Sequence, residues 1–236
     1  MELRPTVPER RRIRWRTSYR IIPSRFPPID LFERVASPGE LAAVHELESL
    51  TNDRLRDQVG DIRLVVPSER VTGPGAGYIM AAFTHPSPVG GRFNEPGFGA
   101  WYAARALETA VAETRYHRAR FMRATREPAM QLDMRVLEAE LDARLHDLRG
   151  LRDALPDLYD SDHYSAPQRY GAEVRRGGSD GVVYDSVRHD GGQCVAVFRP
   201  RRIRSCRATL HLTYVWDGDV IAQVYEKREY PGGNPT

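Results

Sequence analysis

Asp217-Gly218 stands between two β-rich runs, Leu210–Trp216 and Asp219–Tyr225. An Asp-Gly pair tolerates the positive backbone dihedrals of a tight hairpin turn, so these runs are predicted to pair antiparallel. A helix is predicted from about Leu107 to Ala124, with Leu107, Ala110, Val111, Thr114, Phe121 and Met122 on one face at a 3.6-residue period. Further strands are read at Tyr19–Ile22, Trp101–Ala104, Met130–Leu141, Ala143–Leu148, Gly181–Ser186 and Cys194–Phe198. A second helix runs from Ser165 to Arg176, where Gly177-Gly178 ends it. Pro67 to Pro88 reads as loop around one apolar island, Tyr78–Phe83, of strand or short helix. Strands and helices mix without strict alternation. This pattern favours an α+β fold over a doubly wound parallel sheet.

Two segments near the N-terminus read differently. Residues 1–16 carry Arg10, Arg11, Arg12, Arg14 and Arg16 and are expected to be a basic, solvated arm. Residues 30–65 are expected to be a helical insertion or docking segment. Within it Ser37-Pro38-Gly39-Glu40 offers a helix start, and Leu41, Val44, Leu47 and Leu50 follow at helical spacing. The remainder, 17–236, is expected to form one catalytic domain.

Several function classes are excluded. The longest uncharged stretch, between Arg70 and Arg92, is broken by Gly73, Pro74, Gly75, Gly77, Pro86 and Pro88, so no membrane-spanning helix is expected. Met1 to Arg20 is basic without an apolar core, unlike a secretory signal. Cys194 and Cys206, the two cysteines, are too few for a disulfide framework. There is no His-Glu-x-x-His, no Cys-x-x-Cys and no phosphate loop ending in Gly-Lys-Ser/Thr. No metal site and no nucleotidase of the phosphate-loop class is therefore expected. A soluble, cytoplasmic protein with free thiols is the reading. His85, His117, His146, His163, His189 and His211 are scattered and read as surface or ordinary packed side chains. Lys227 is the only lysine among 35 basic residues, yet the net charge is only +3, too small to argue for nucleic acid.

Chemistry concentrates in one block: Gly90-Gly-Arg-Phe-Asn-Glu-Pro-Gly, then Trp101-Tyr102, then Glu108-Thr-Ala-Val-Ala-Glu113. A Gly-Gly-Arg turn lets the backbone approach a ligand closely and presents one fixed cation. Arginine grips phosphate in a two-pronged fashion. A strand tyrosine offers a flat face, and a helix carboxylate can face a developing positive charge. An anionic ligand with a flat ring and a reacting sugar would use all three.

These residues resemble the RES domain. The likeness begins at Tyr19-Arg20, passes through Gly-Gly-Arg92-Phe-Asn94, Tyr102 and Glu108–Glu113, and ends around Asp185-Ser186 and Cys194-Val-Ala-Val-Phe. The resemblance implies a fold like the diphtheria-toxin-like ADP-ribosyltransferases, with a mixed, mainly antiparallel sheet flanked by helices. It implies the toxin of a bacterial type II toxin–antitoxin pair, with NAD⁺ as substrate and the nicotinamide–ribose bond as the target. Phosphorolysis, with inorganic phosphate as co-substrate and no metal, is the reaction of several members. Protein ADP-ribosylation is the alternative described for others. The usual partner is an Xre/MbcA/ParS-type antitoxin covering the active site. Direct nucleic-acid binding by a basic, non-catalytic module is the remote third reading.

Carried over by motif, the catalytic residues are Arg92, Tyr102, Glu113 and Ser186. Those implied to bind NAD⁺ are Arg20, Arg92, Asn94 and Tyr102. Glu113 would face the oxocarbenium-like ribose or grip its 2′-hydroxyl. Arg20 and Arg92 would hold diphosphate, or one of them the attacking phosphate. Tyr102 would pack on nicotinamide, and Ser186 would supply one positioning hydrogen bond. Two local departures from the family pattern stand out. Ala106 and Leu107 occupy positions where a Ser and a Pro are common, and Phe93 stands where a Trp is common.

Overall fold

Alternation decides the first strand. In Arg12-Ile13-Arg14-Trp15-Arg16 the apolar side chains fall on every second residue, and Ile13 and Trp15 are each only 7% exposed while the arginines face solvent. In this computed structural model, which describes residues 8–25, 32–33, 37 and 60–229, strand β1 therefore spans Arg10–Pro23. The expected arm is, from Arg10 onward, part of the sheet. The arginines that suggested it are its solvent-facing positions, and Arg12 and Arg14 pair with Asp142 across the ladder. The helix expected to start at Ser37 lies, beyond Ser37 itself, outside the described residues, as does most of the expected 30–65 segment. Residues 62–65 form a short turn whose Ile62 and Val65 enter the core.

The order continues with helix α1 (Ala76–Thr84), β2 (Trp101–Ala104), α2 (Leu107–Thr125), β3 (Met130–Asp147), α3 (Ser165–Arg176), β4 (Gly181–Asp185), β5 (Gln193–Val197), β6 (Ile203–Trp216) and β7 (Ile221–Lys227). The seven strands form one sheet in the order β1-β2-β5-β4-β3-β6-β7, and β1 also pairs with β3. The β3–β4 pair is parallel; the other ladders are antiparallel. The α+β architecture with a mainly antiparallel sheet is thus as read from the sequence.

Local chemistry explains where the boundaries fall. The apolar island becomes α1 because its side chains are buried nearly all round, a pattern neither strand alternation nor an amphipathic stripe would give. The two strands expected around Asp142 are one, β3, long enough to serve β1 along one edge and both β6 and β4 along the other. Asp217 Oδ1 accepts the amides of Asp219 and Val220 at 2.9 and 2.8 Å, so the β6–β7 connection closes as an Asx-type turn. Phe121, expected on the buried face of α2, is 47% exposed, with the Arg118 guanidinium 5.9 Å from its ring. Ala110 and Met122 are buried as expected, and Ala119, outside the expected face, is buried with them.

Two apolar clusters cover the two faces of the sheet. Trp101, Ala103, Val183, Val195 and Val197 point to the face covered by α1, with Ile79, Met80 and Phe83. Tyr102, Ala104, Val182, Tyr184, Cys194 and Ala196 point to the other, with Ala110, Ala119 and Met122 of α2. The period-two alternation of β2, β4 and β5 thus sends Tyr102, Tyr184 and Cys194 to the α2 face together. Among the described residues no helix is long and apolar enough to cross a membrane.

Candidate active site

The Gly-Gly-Arg turn is held open from beneath. Gly90 has φ +73°, and a Cβ on Gly91 would lie 2.6 Å from Asn94 Oδ1 and 2.7 Å from the Tyr102 hydroxyl. Those two atoms are themselves fastened. Tyr102 donates to Asn94 Oδ1 at 2.8 Å and accepts the Phe93 amide at 2.8 Å, while Asn94 Nδ2 donates to the Phe98 carbonyl at 2.7 Å. Burial pushes the Tyr102 phenol well up, so it stays protonated as a donor. Helix α3 presses on the same turn: Gln168 donates to the carbonyls of Val89 and Gly91, each at 3.0 Å, and Gly171 admits the Phe93 backbone.

This scaffold points Arg92 inward, where it is 6% exposed. Its Nη1 donates to the carbonyls of Asp160 at 2.6 Å and Leu158 at 3.3 Å, and its guanidinium lies 4.6 Å from the centre of the Tyr164 ring. Among the described residues no carboxylate forms an ion pair with it. A buried cation held only by neutral dipoles and a π face keeps most of its attraction for an anion.

Glu113 comes from α2, whose start at Ala106 has no side-chain cap, as the departure from the family pattern foretold. Helical spacing puts Thr109, Glu113, Tyr116, His117 and Arg120 on one side. The Glu113 side chain is 17% exposed. Ser186 Oγ donates to Glu113 Oε1 at 2.6 Å and accepts the amides of Arg188 and His189, both at 3.0 Å. With two N–H donors on the oxygen, its proton is committed to the carboxylate. The Cys194 thiol reaches the same Oε1 at 3.8 Å, and burial, then the nearby carboxylate, holds this thiol well above its ordinary range. Both inner donors therefore take Oε1. Oε2 is left facing His117, whose Nε2 is 3.9 Å away. Desolvation of the ring and then the guanidiniums of Arg188, Arg92, Arg120 and Arg118 push His117 down to about 4. It is neutral at pH 7, so its approach to Glu113 is not a charge pair.

Tyr184 links the two halves. Its ring packs on Phe93 at 4.9 Å between centroids, tilted by 59°, and burial drives its phenol far up, with Cys194, Glu113, Tyr102 and Arg92 also acting on it. Five of the six residues singled out in the sequence, Arg92, Asn94, Tyr102, Glu113 and Ser186, thus line one region on the α2 face. Arg20 stands apart. Its guanidinium lies 5.0 Å from the Trp101 ring, which belongs to the α1 face, and it donates to the Tyr102 carbonyl at 3.0 Å. Burial lowers its pKa to about 10.

Sequence reasoning missed Cys194, Tyr184, His117, Arg120, Tyr164 and Arg188. His117 and Arg120 follow Glu113 at helical spacing, which was a usable signal. Cys194 and Tyr184 required the register of β4 against β5, Tyr184↔Cys194. The loop bearing Arg188 and the segment bearing Tyr164 meet Ser186 and Arg92 only through tertiary packing.

Three comparisons with known proteins bear on the chain as a whole. The RES domain family model matches residues 67–217. The uncharacterized protein y4oC of Sinorhizobium fredii (strain NBRC 101917 / NGR234) is 32% identical over 208 residues, covering 88% of this chain and 86% of that protein. Among solved structures, that of the M. tuberculosis MbcT-MbcA toxin-antitoxin complex is similar, at 16% identity and a TM-score of 0.47, over 89% of this chain and 87% of that chain. With a family model matched over residues 67–217 and a relative 32% identical along most of both chains, this chain belongs to the RES-domain family.

Proposed function

We propose that this protein is the toxin of a bacterial toxin–antitoxin pair and consumes NAD⁺ by breaking the nicotinamide–ribose bond, with inorganic phosphate as the acceptor. The observation that carries this reading is the Ser186–Glu113 bond of 2.6 Å, which engages Oε1 and leaves Oε2 toward His117, around which Arg92, Arg120 and Arg188 gather. An oxocarbenium-like transition state needs that arrangement: a preoriented negative charge on one side, and cations for the substrate's phosphates.

In this mechanism nicotinamide departs with the electron pair of the C–N bond. The pair neutralises the ring nitrogen, so no acid is required there. An oxygen of phosphate forms the new bond to the anomeric carbon, and the products are nicotinamide and ADP-ribose 1″-phosphate. Glu113 Oε2 faces the charge that builds on the ribose or accepts its 2′-hydroxyl. Ser186, acting through Glu113, is a positioning residue. Arg92 attracts the diphosphate once its bonds to the Asp160 and Leu158 carbonyls are exchanged for phosphate oxygens. Tyr102, its hydroxyl already engaged by Asn94 and Phe93, has only its ring face to give to nicotinamide. Asn94 holds the turn, and Arg20 braces β1 against β2, supporting the site from outside. An antitoxin of the Xre/MbcA/ParS type covering these residues in the cytoplasm would block access.

The test is incubation of the purified protein with NAD⁺, with and without inorganic phosphate, beside Glu113→Ala, following nicotinamide and the ADP-ribose product by mass. Phosphate-dependent release that is lost in the variant is the expected result. Adenylate label transferred to protein would replace phosphorolysis by ADP-ribosylation. Folded, antitoxin-free protein that leaves NAD⁺ intact overturns the reading.

A further inference from the structure

Three guanidiniums from three separate elements converge on the segment that follows the short turn Pro156–Tyr159. Arg92 takes the Leu158 and Asp160 carbonyls, Arg120 of α2 takes the Asp162 carbonyl at 3.3 Å, and Arg188 takes the Ser161 carbonyl. Arg188 also stacks on Tyr116, 3.3 Å from its ring centre, and Arg120 lies 5.8 Å from the centre of the Tyr164 ring. Among the described residues none of the three forms an ion pair. Two polar atoms here are buried with no hydrogen-bond partner: Arg188 Nε and the Tyr164 hydroxyl. Carbonyl dipoles compensate a cation only in part, and a buried donor left unpaired is costly. Arg120 is exposed and solvated, so the unmet demand lies at Arg188, whose buried Nε lacks an acceptor.

The nearest candidate is already tethered there. The Asp162 carboxylate accepts from the Tyr116 hydroxyl and from Ser161 Oγ, and Arg188 and Arg120 both act on it. Yet Asp162 is exposed, on a connecting segment, and leaves Arg188 Nε unpaired. It is placed as a stand-in for something with more oxygens. His117, whose Nε2 lies 3.9 Å from Glu113 Oε2, is held neutral first by desolvation and then by the guanidiniums of Arg188, Arg92 and Arg120.

From this geometry we infer that Arg120 and Arg188, with Tyr116, form a phosphoryl-oxyanion site beside Glu113, separate from the buried Arg92, and that the Asp162 carboxylate occupies it until the oxyanion displaces it. A tetrahedral oxyanion presents several acceptors at once, enough for Arg188 Nε and both guanidinium edges. Two sources share this chemistry: free inorganic phosphate and the diphosphate of the dinucleotide. The site's catalytic use rests on the NAD⁺ reading above; its affinity for the oxyanion does not.

The experiment is calorimetric titration of the full chain with inorganic phosphate and, separately, with ADP-ribose, in wild type, Arg120→Gln, Arg188→Gln and Asp162→Asn. Circular dichroism and melting confirm the fold of each, and Arg188→Lys replaces Arg188→Gln if the latter fails to fold. Each arginine variant is expected to weaken oxyanion binding by about 10-fold or more, the loss of one charge-assisted contact. Asp162→Asn is expected to tighten it several-fold. Loss confined to inorganic phosphate identifies the site as that of the free acceptor; loss confined to ADP-ribose identifies it as a diphosphate clamp. Unchanged affinity for both ligands in folded arginine variants overturns the site, and unchanged or weaker binding in Asp162→Asn overturns the displacement. Arginine-dependent phosphate binding by a protein that does not cleave NAD⁺ would leave this site standing and refute only the proposed reaction.

Discussion

Replacing Ser186 by alanine separates a catalytic positioning role from a structural one. Ser186 is 2% exposed, and its hydroxyl donates to Glu113 Oε1 at 2.6 Å while accepting two amides at 3.0 Å. Losing a hydrogen bond to a charged group costs about 1.5–3 kcal/mol, and a buried N–H left without a partner about 1–3 kcal/mol. With partial relief by water, Ser186→Ala should lose about 2–4 kcal/mol of stability, or about 5–15 °C in melting temperature for a chain of this size. If the carboxylate must be preoriented, about 1.5–3 kcal/mol also leaves the transition state, which is about 10- to 150-fold in kcat/KM at 1.36 kcal/mol per decade. The assay is nicotinamide release from NAD⁺ in Ser186→Ala, Glu113→Gln and the double variant, well below each melting transition. The double variant should be no slower than Glu113→Gln alone within about 2-fold, because the hydroxyl acts through the carboxylate. Wild-type kcat/KM in Ser186→Ala with a lowered melting temperature would refute the reasoning and reduce Ser186 to a turn residue.

Other perturbations test the scaffold. Gly91→Ala would set a methyl 2.6 Å from Asn94 Oδ1 and 2.7 Å from the Tyr102 hydroxyl; a loss of about 1–3 kcal/mol in denaturant unfolding and a raised KM for NAD⁺ are expected. Trp15→Ala should cost about 3–5 kcal/mol in the same unfolding assay if the basic N-terminal segment is a strand, and almost nothing if it is an arm. His117 has a folded pKa of about 4, below the ordinary 6.5, so the unfolded chain takes up the proton first. Its contribution is complete above pH 6.5 and is lost as the pH falls toward 4. Because the side chain is 48% exposed, that loss is discounted for solvent screening to about 1–2 kcal/mol, and it should be absent from the pH–stability profile of His117→Gln.

Much of the molecule was legible in one dimension. Helix α2 and the β6–β7 hairpin followed from a 3.6-residue period and an Asp-Gly pair, because neighbouring residues alone determine both. Arg92, Tyr102 and Glu113 stood out because a Gly-Gly-Arg turn, a strand aromatic and a helix carboxylate lie close together in sequence. The first strand was misread because its arginines dominated the composition, although Ile13 and Trp15 supplied the period-two signal. Arg20 was carried over by the same motif, but strand alternation sends its side chain to the Trp101 ring rather than to the α2 face.

The sequence by itself determined helices α2 and α3 and the β6–β7 hairpin and marked a short set of candidate side chains, since both depend on local periodicity and residue type. Tertiary structure decided the rest. The Glu113–Ser186 contact spans 73 residues and the Arg92–Asp160 contact 68. Whether such pairs meet depends on the register of β4 and β5, on the close passage of α3 over the Phe93 backbone at Gly171, and on which carbonyls the 158–162 segment turns toward the arginines. Those are sums over many long-range contacts, and no short window of sequence contains them.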